Sequence, residues 1–281
     1  MSLKLAEQAQ TKIRPFLKWL GGKYLLTERI SAALPPGTQL VEPFVGSGAV
    51  FLNTNFKSYL LNDANQDLIN LYQILQKEGQ RFIEECRAFF IKKFNSEKHY
   101  YRLRDQFNES LDPTLRSALF LYLNRHGYNG LCRYNMGKRE FNVPFGRYAK
   151  PYFPEIEMQL FYEKATQGQV RFVCEDFTKT LQRAKKGSVV YCDPPYVPLT
   201  NTAHFTGYQA GGFSLEEQRE LAEQAKKLGK VGIPVLLSNH SNEFTHQLYK
   251  GAKIQEFDVR RSISCKTALR GQVLELLALY K

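Results

Sequence analysis

The strongest restriction on the fold is an alternation of short apolar strands and helical segments that runs to residue 65, stops, and resumes at residue 169. Gln39-Leu40-Val41-Glu42-Pro43-Phe44 reads as a strand, Val45-Gly46-Ser47-Gly48 as a tight turn, and Ala49-Val50-Phe51-Leu52 as the opening of a helix. A second strand, Ser58-Tyr59-Leu60-Leu61-Asn62, ends at Asp63 and is followed by helical spacing at Leu68, Leu71 and Leu75. Strands return at Gln169-Val170-Arg171-Phe172-Val173-Cys174, Ser188-Val189-Val190-Tyr191-Cys192 and Pro234-Val235-Leu236-Leu237, with helices between them. Closing strands are expected near residues 258–264 and 274–280. Apolar strands separated by helices build a parallel sheet, because parallel neighbours need a long crossover. The expected class is α/β. A Rossmann-like sheet is made by residues 1–65 and 165–281 around an inserted, mostly helical segment, residues 66–164.

Ligands of open α/β sheets bind beyond the strands' C-terminal ends, and two of those ends carry unusual chemistry. The fourth strand runs straight into Asp193-Pro194-Pro195-Tyr196. Proline has no ladder donor and holds its predecessor extended, so the strand stops there. The turn offers a carboxylate, a backbone carbonyl and an aromatic face, which suit a flat group bearing an exocyclic amine, such as adenine. A proline-stopped strand with a capping Asp is the plainer reading of these four residues alone.

The other end is the Gly46-Ser47-Gly48 turn. Strand, Gly-x-Gly and helix form a nucleotide-edge arrangement, yet Leu52-Asn53 follow where a dinucleotide fingerprint needs its third glycine. Glu42, just ahead of the turn, also argues against a pyrophosphate. A phosphate-free cofactor with a cationic centre fits better, and a nicotinamide oxidoreductase does not. Asp63 ends the second strand, where it could accept from ribose hydroxyls or cap the next helix. Upstream, Phe16-Leu17-Lys18-Trp19-Leu20-Gly21-Gly22-Lys23 sets aromatics and lysines around a Gly-Gly turn that permits close approach. Trp19 could equally pack on the core.

The inserted segment carries helical patterns over residues 79–94, 100–110 and 115–125, then a polar, aromatic loop over 126–150. From Lys92 to Lys150 there are 12 Lys and Arg against 5 Asp and Glu, over half of the chain's formal charge of +12. Tyr128, Tyr134 and Tyr148 punctuate that loop without apolar periodicity. Basic residues interleaved with aromatics and asparagines suit phosphates and base edges. A solvated basic face would explain the charge alone.

The five cysteines are odd in number and form no C-x-x-C pair, so neither disulfides nor a metal site is expected. Cys174 and Cys192 fall in apolar runs, as core thiols do. With no long apolar span and no leader pattern, a soluble protein of the cytoplasm is expected. Residues 197–212 read as a lid, Ser214 with Glu217 as a capping box, and Ser238-Asn239-His240 as a turn. Without a nucleophile pattern around it, His240 reads as a turn residue, not a catalyst.

Together these motifs, in this order, resemble the Dam family of DNA adenine-N6 methyltransferases over nearly the whole chain. The family's catalytic motif matches Asp193-Pro194-Pro195-Tyr196. Its cofactor motifs match Phe16-Leu17-Lys18-Trp19 with Gly21-Gly22-Lys23, and Val41-Glu42-Pro43-Phe44-Val45-Gly46-Ser47-Gly48. Segments 121–133 and 140–148 are similar to the enterobacterial members. The resemblance implies an S-adenosylmethionine-dependent methyltransferase sheet with an inserted DNA-recognition domain. It implies adenine-N6 methylation in duplex GATC by base flipping and in-line displacement, without a metal, by a monomer. Asp193, Pro194 and Tyr196 would be catalytic. Trp19, Lys23, Glu42, Phe44, Gly46, Gly48, Asp63 and Asp193 would hold the cofactor, with Phe172 as a weaker contact to its adenine. Lys18, Tyr128, Asn129, Leu131, Arg133 and Tyr148 would read the site. Arg104, Arg125, Asn135 and Asn142 would hold phosphates, and Arg147 would also contact DNA. The chain is one residue longer than the family pattern near Met136-Gly137-Lys138-Arg139, so Lys138 and Arg139 compete for one DNA contact. The segment 265–271 is less basic than the family's. Cytosine-N4 methylation, or DNA binding without catalysis, remains the alternative.

Overall fold

The computed structural model describes residues 12–135, 137–196, 213–260 and 272–281. Its strands are β1 (Gln39–Glu42), β2 (Ser58–Asn62), β3 (Gln169–Val173), β4 (Ser188–Cys192), β5 (Val235–His240), β6 (Lys253–Arg260) and β7 (Gln272–Tyr280). They form one sheet in the order β3-β2-β1-β4-β5-β7-β6. The first five are parallel, and β7 runs antiparallel between β5 and β6. The chain winds outward from β1 to β3, then starts again on the other side with β4. The order therefore reverses between β1 and β4, where crossovers leave to opposite faces and a crevice opens at the C-terminal ends. Both unusual strand ends border that crevice.

Alternate residues of each strand feed two cores, as the two-residue period requires. Leu40, Tyr59, Leu61, Tyr191 and Leu236 join one, and Val41, Leu60, Val190, Cys192 and Leu237 the other. Among the described residues three helices cover the second face: α8 (Phe177–Gln182), α9 (Leu215–Lys230) and α10 (Glu243–Leu248). The first face is covered by α1 (Thr27–Ala33), α2 (Ala49–Leu52), α3 (Gln66–Glu78), α4 (Gln80–Arg87), α5 (Glu97–Glu109), α6 (Pro113–His126) and α7 (Glu155–Thr166). The inserted helices thus share a core with the sheet. Among them Phe16, Phe51, Tyr72, Phe161 and Phe172 meet mostly edge to face, an arrangement worth about 0.5–1.5 kcal/mol per pair beyond area burial.

Several elements depart from the sequence-based expectation. The helical stretch expected over 79–94 is helix only to Arg87; it is set off from α3 by Gly79 (φ +54°), where a Cβ would lie 2.6 Å from the Tyr162 ring. Beyond α4 there is only a single 3₁₀ turn, Lys92–Phe94. Ser238-Asn239-His240 is no turn but the buried end of β5, paired with Leu277, Leu276 and Glu275 of β7. Helix α7 was not expected at all, and it packs Met158, Phe161 and Ala165 against the core. The capping box is present: Ser214 Oγ accepts from Glu217 N–H, and the Glu217 carboxylate accepts from Ser214 N–H. The expected lid at 197–212, Met136 and segment 265–271 lie outside the described residues.

Buried Asn62 registers the strand ends. Its amide donates to the carbonyls of Pro43 (2.9 Å) and Glu175 (3.0 Å), and its oxygen accepts from Glu175 N–H (2.9 Å).

Candidate active site and nucleic-acid face

A cleft of about 610 Å³ occupies the crevice between β1 and β4, within the range of small-molecule sites, roughly 300–1,000 Å³. On the β1 side the glycine turn needs left-handed backbone at Gly46 (φ +48°) and Gly48 (φ +74°). It is held from behind. Asp63 Oδ2 accepts from Gly46 N–H at 3.1 Å, and the Tyr72 hydroxyl donates to the Gly46 carbonyl at 2.6 Å. Trp19 lies on the turn so closely that a Cβ at Gly46 would stand 2.9 Å from its Nε1. Trp19, Lys23, Glu42, Phe44 and Gly46 line the cleft. Asp63 and Gly48 stand behind its wall. Nor does Asp63 cap α3: its Oδ1 accepts from Asn65 N–H (2.9 Å), and Asn65 takes the capping role. Phe172 lies in the aromatic core against Phe51, Tyr72 and Phe161, away from the cleft.

Glu42 is 2% exposed, and its Oε1 has no hydrogen-bond partner among the described residues. Burial, reinforced by Asp193, pushes its pKa well above the ordinary carboxylate value. An unpaired buried acceptor is costly, so this oxygen awaits a donor or a cation. The donor set therefore fits a cofactor with a cationic centre: a flat indole, a glycine turn, a lysine already paired with Asp193, and an orphaned acidic oxygen. It fits a pyrophosphate poorly.

On the β4 side, Lys23 Nζ stands 2.9 Å from Asp193 Oδ1, 2.8 Å from the Gly21 carbonyl and 4.5 Å above the Tyr196 ring. Burial raises the Asp193 pKa, and Lys23 opposes the rise. The Tyr196 hydroxyl donates to Glu275 Oε2 at 3.1 Å, and its ring meets His240 edge on at 4.6 Å. Gln218 Nε2 donates to the Pro195 carbonyl at 2.7 Å, and Gln218 Oε1 accepts from Asn239 at 3.3 Å. Sequence reasoning missed Gln218 and Glu275, and took His240 for a turn residue although it lines the cleft. For Glu275 a signal was available, an acid inside the apolar run Val273-Leu274-Glu275-Leu276-Leu277; Gln218, buried although its neighbours Glu217 and Arg219 are charged, offered none.

The basic segment supplies a second surface beside the cleft. Lys18 is tied to α6 in both directions: its N–H donates to Asn124 Oδ1 (2.9 Å) and its carbonyl accepts from Asn124 Nδ2 (2.7 Å). Lys18 Nζ lies 4.0 Å above the Tyr148 ring, whose hydroxyl accepts from Asn129 N–H at 2.8 Å. Gly130 packs on this knot with room for no side chain. Tyr128 is 45% exposed beside it and Leu131 is half-buried. The loop of 126–150 is hairpin-like, with bridges between Gly127 and Phe145 and between Tyr134 and Phe141. Arg133 is exposed, and its Nε donates to Asn142 Oδ1 at 2.7 Å. At the tip, Asn135 Oδ1 accepts from the N–H groups of Lys138 and Glu140, which leaves Lys138 and Arg139 both exposed. Arg147 is exposed, 3.7 Å from Glu97. Two other arginines are already engaged. Arg125 donates to the carbonyls of Tyr152 (3.0 Å) and Phe16 (3.4 Å), while Arg104 reaches the Val143 carbonyl at 3.5 Å.

A Rossmann-like sheet with a proline-stopped carboxylate and an aromatic at its switch point, flanked by a basic aromatic hairpin, defines an enzyme class: methyltransferases acting on an amine of a nucleic-acid base. A family model described as D12 class N6 adenine-specific DNA methyltransferase matches residues 19–263, and the chain belongs to that family. The DNA adenine methylase of Escherichia coli strain K12 is 53% identical over 270 residues, 96% of each chain. That of Serratia marcescens is 51% identical, covering 96% of this chain and 99% of its own. Among solved structures, a precorrin 8W decarboxylase of Methanobacterium thermoautotrophicum aligns over 96% of this chain and 95% of its own, at 11% identity and a TM-score of 0.39. A likeness that slight adds nothing to the assignment. The family's amine is adenine's N6, so the cytosine-N4 alternative falls away.

Proposed function

We propose that the protein transfers a methyl group from S-adenosylmethionine to the N6 amine of adenine in double-stranded DNA, in the sequence GATC, by flipping the base out of the duplex. The observation that carries this reading is the convergence, at one crevice, of the Asp193-Pro194-Pro195-Tyr196 turn with the glycine turn under Trp19 and the orphaned oxygen of Glu42. S-adenosylmethionine, when bound, supplies the electrophilic methyl group. Trp19, Lys23, Glu42, Phe44, Gly46 and Asp193 are the residues to hold it, with Gly48 and Asp63 keeping the turn in shape. Phe172 contributes by packing alone.

Extrusion of the base costs a few kcal/mol, offset by stacking and edge contacts. Tyr196 provides the stacking face. The adenine amine is a poor nucleophile because its lone pair is delocalised into the ring. The Asp193 carboxylate and the Pro194 carbonyl, accepting its N–H bonds, return electron density to nitrogen and aim the lone pair. As the N–C bond forms, the methyl's bond to the cofactor's sulfonium sulfur would break with its electron pair returning to sulfur, and one N–H proton leaves, with Asp193 the acceptor at hand. Lys23 opposes the effect of burial on that carboxylate.

Lys18, Tyr128, Asn129, Leu131, Arg133 and Tyr148 are the proposed readers of the site. Arg104, Arg125, Asn135, Asn142 and Arg147 are the proposed phosphate contacts, Arg104 and Arg125 through N–H groups left over from their carbonyl bonds. Residues 66–164 would form the recognition domain of a monomer acting in the cytoplasm. The test is incubation with plasmid and S-adenosylmethionine, followed by cleavage with nucleases that require or are blocked by methylated GATC. Asp193→Ala should still bind DNA but methylate at least about a hundredfold more slowly, the scale of losing one electrostatic partner in a transition state. Near-native turnover in that variant overturns the scheme.

A further inference from the structure

The turn between β2 and α3 touches both halves of the site. The side chains at 63 and 65, with that at 67 in the first turn of α3, reach three different places. Asp63 holds the cofactor-side glycine turn through Gly46 N–H. Asn65 Nδ2 donates to Cys132 Sγ at 3.2 Å. Asp67 Oδ2 accepts from the Tyr134 hydroxyl at 2.7 Å. Asp67 is itself fixed, because Arg116 grips both its oxygens (2.5 and 3.2 Å) and spends a further N–H on the Phe107 carbonyl (2.7 Å).

Cys132 and Tyr134 flank Arg133. The two neighbours are turned inward and partly buried while Arg133 is exposed, the alternation expected of extended backbone. The Arg133 carbonyl is also pinned, accepting from Asn142 N–H at 3.0 Å. The origin of the Arg133 side chain is therefore set by bonds on both sides of it, and those bonds come from the same turn that shapes the cofactor cradle. A bidentate contact to a base edge tolerates little displacement, and a hydrogen bond that fixes its origin acts on specificity without touching DNA.

We propose that Tyr134 and Asp67, supported by Asn65 and Cys132, are positioning residues that set where Arg133 meets its base, so that sequence readout and the cofactor cradle share one anchor. This rests on Arg133 being a base reader. Tyr134→Phe deletes the hydroxyl and keeps the ring against Phe141 (centroids 5.7 Å apart). The readout is kcat/KM on duplexes containing GATC and on each single-base alteration of it, with thermal unfolding measured alongside. Arg133→Ala should flatten discrimination at one base pair. Tyr134→Phe should lower discrimination at that same base pair by about tenfold, the scale of one lost hydrogen bond. The double variant should discriminate no worse than Arg133→Ala. If Arg133→Ala alters discrimination and Tyr134→Phe lowers all rates equally, Tyr134 is merely structural and the proposal is overturned while the Arg133 reading stands. If Arg133→Ala leaves every ratio unchanged, both fall. Should Tyr134→Phe not fold, Cys132→Ala, which removes the sulfur acceptor, carries the same expectation and the same refutation.

Discussion

Replacing Glu42 by glutamine tests the electrostatics of the cleft most directly. The group is buried, one oxygen is unpaired, and burial together with Asp193 raises its pKa well above the usual value. In the unfolded chain a glutamate titrates at about 4.3. Between that value and the raised folded one, the native protein holds a proton that the unfolded chain has lost. Unfolding free energy must then fall as pH rises across this window, by about 1.4 kcal/mol per pH unit for one proton. Below the window the group is neutral in both states and contributes no slope. A glutamine at this position has the same shape and no proton to lose. Glu42→Gln should therefore gain on the wild type by about 1.4 kcal/mol per unit from pH 5 upward, levelling once the wild-type carboxyl ionises. Urea unfolding at several pH values, without cofactor, reads this difference. Two curves separated by a constant offset would refute the buried-acid reasoning. A cationic cofactor group beside Glu42 should also ionise it, so binding should release a proton, visible by calorimetry in two buffers of different ionisation enthalpy. Glu42→Gln should lose that release and bind more weakly.

Two further outcomes are expected. Gln218→Leu removes one acceptor of the Asn239 amide, which keeps its bond to the Tyr249 hydroxyl (3.0 Å), and takes the donor from the Pro195 carbonyl; it should cost about 1–3 kcal/mol of stability and lower kcat more than it raises KM, as steady-state kinetics and thermal unfolding would show. Arg125→Ala removes bonds to Phe16 and Tyr152 and should destabilise the protein, whereas Arg147→Ala should leave stability unchanged and reduce the slope of log K against log salt by about one. Equal salt slopes in wild type and Arg147→Ala would remove Arg147 from the phosphate contacts.

The parallel sheet was legible because its strands are compact apolar runs ending at residues that cannot continue them: Pro43, Asp63 and the Pro194-Pro195 pair. The cleft's floor was legible for the same reason, since Glu42 and Asp193 are acids at strand ends. Its support was not. Gln218 lies 23 residues from the carbonyl it holds, and Glu275 lies 79 residues from Tyr196, distances over which no local pattern operates. His240 looked like a turn residue because Ser-Asn-His is polar; pairing with β7 overrode that propensity. Helix α7 hid because only Met158, Phe161 and Ala165 of its residues are buried. Phe172 shows the converse: an aromatic near a cofactor edge was needed by the core.

Lys18 and Trp19 are covalent neighbours, one stapled to α6 and set over Tyr148, the other lying on the Gly46 turn. Their α-carbons are about 3.8 Å apart, a length fixed by the trans peptide bond. The stretch of chain facing the basic aromatic surface and the one facing the cleft are therefore a single peptide link, which works as an inextensible ruler. A shift of this segment cannot widen the gap between the two surfaces at that point; it carries both the same way. Variation elsewhere can retune what each surface accepts while leaving the spacing between them untouched.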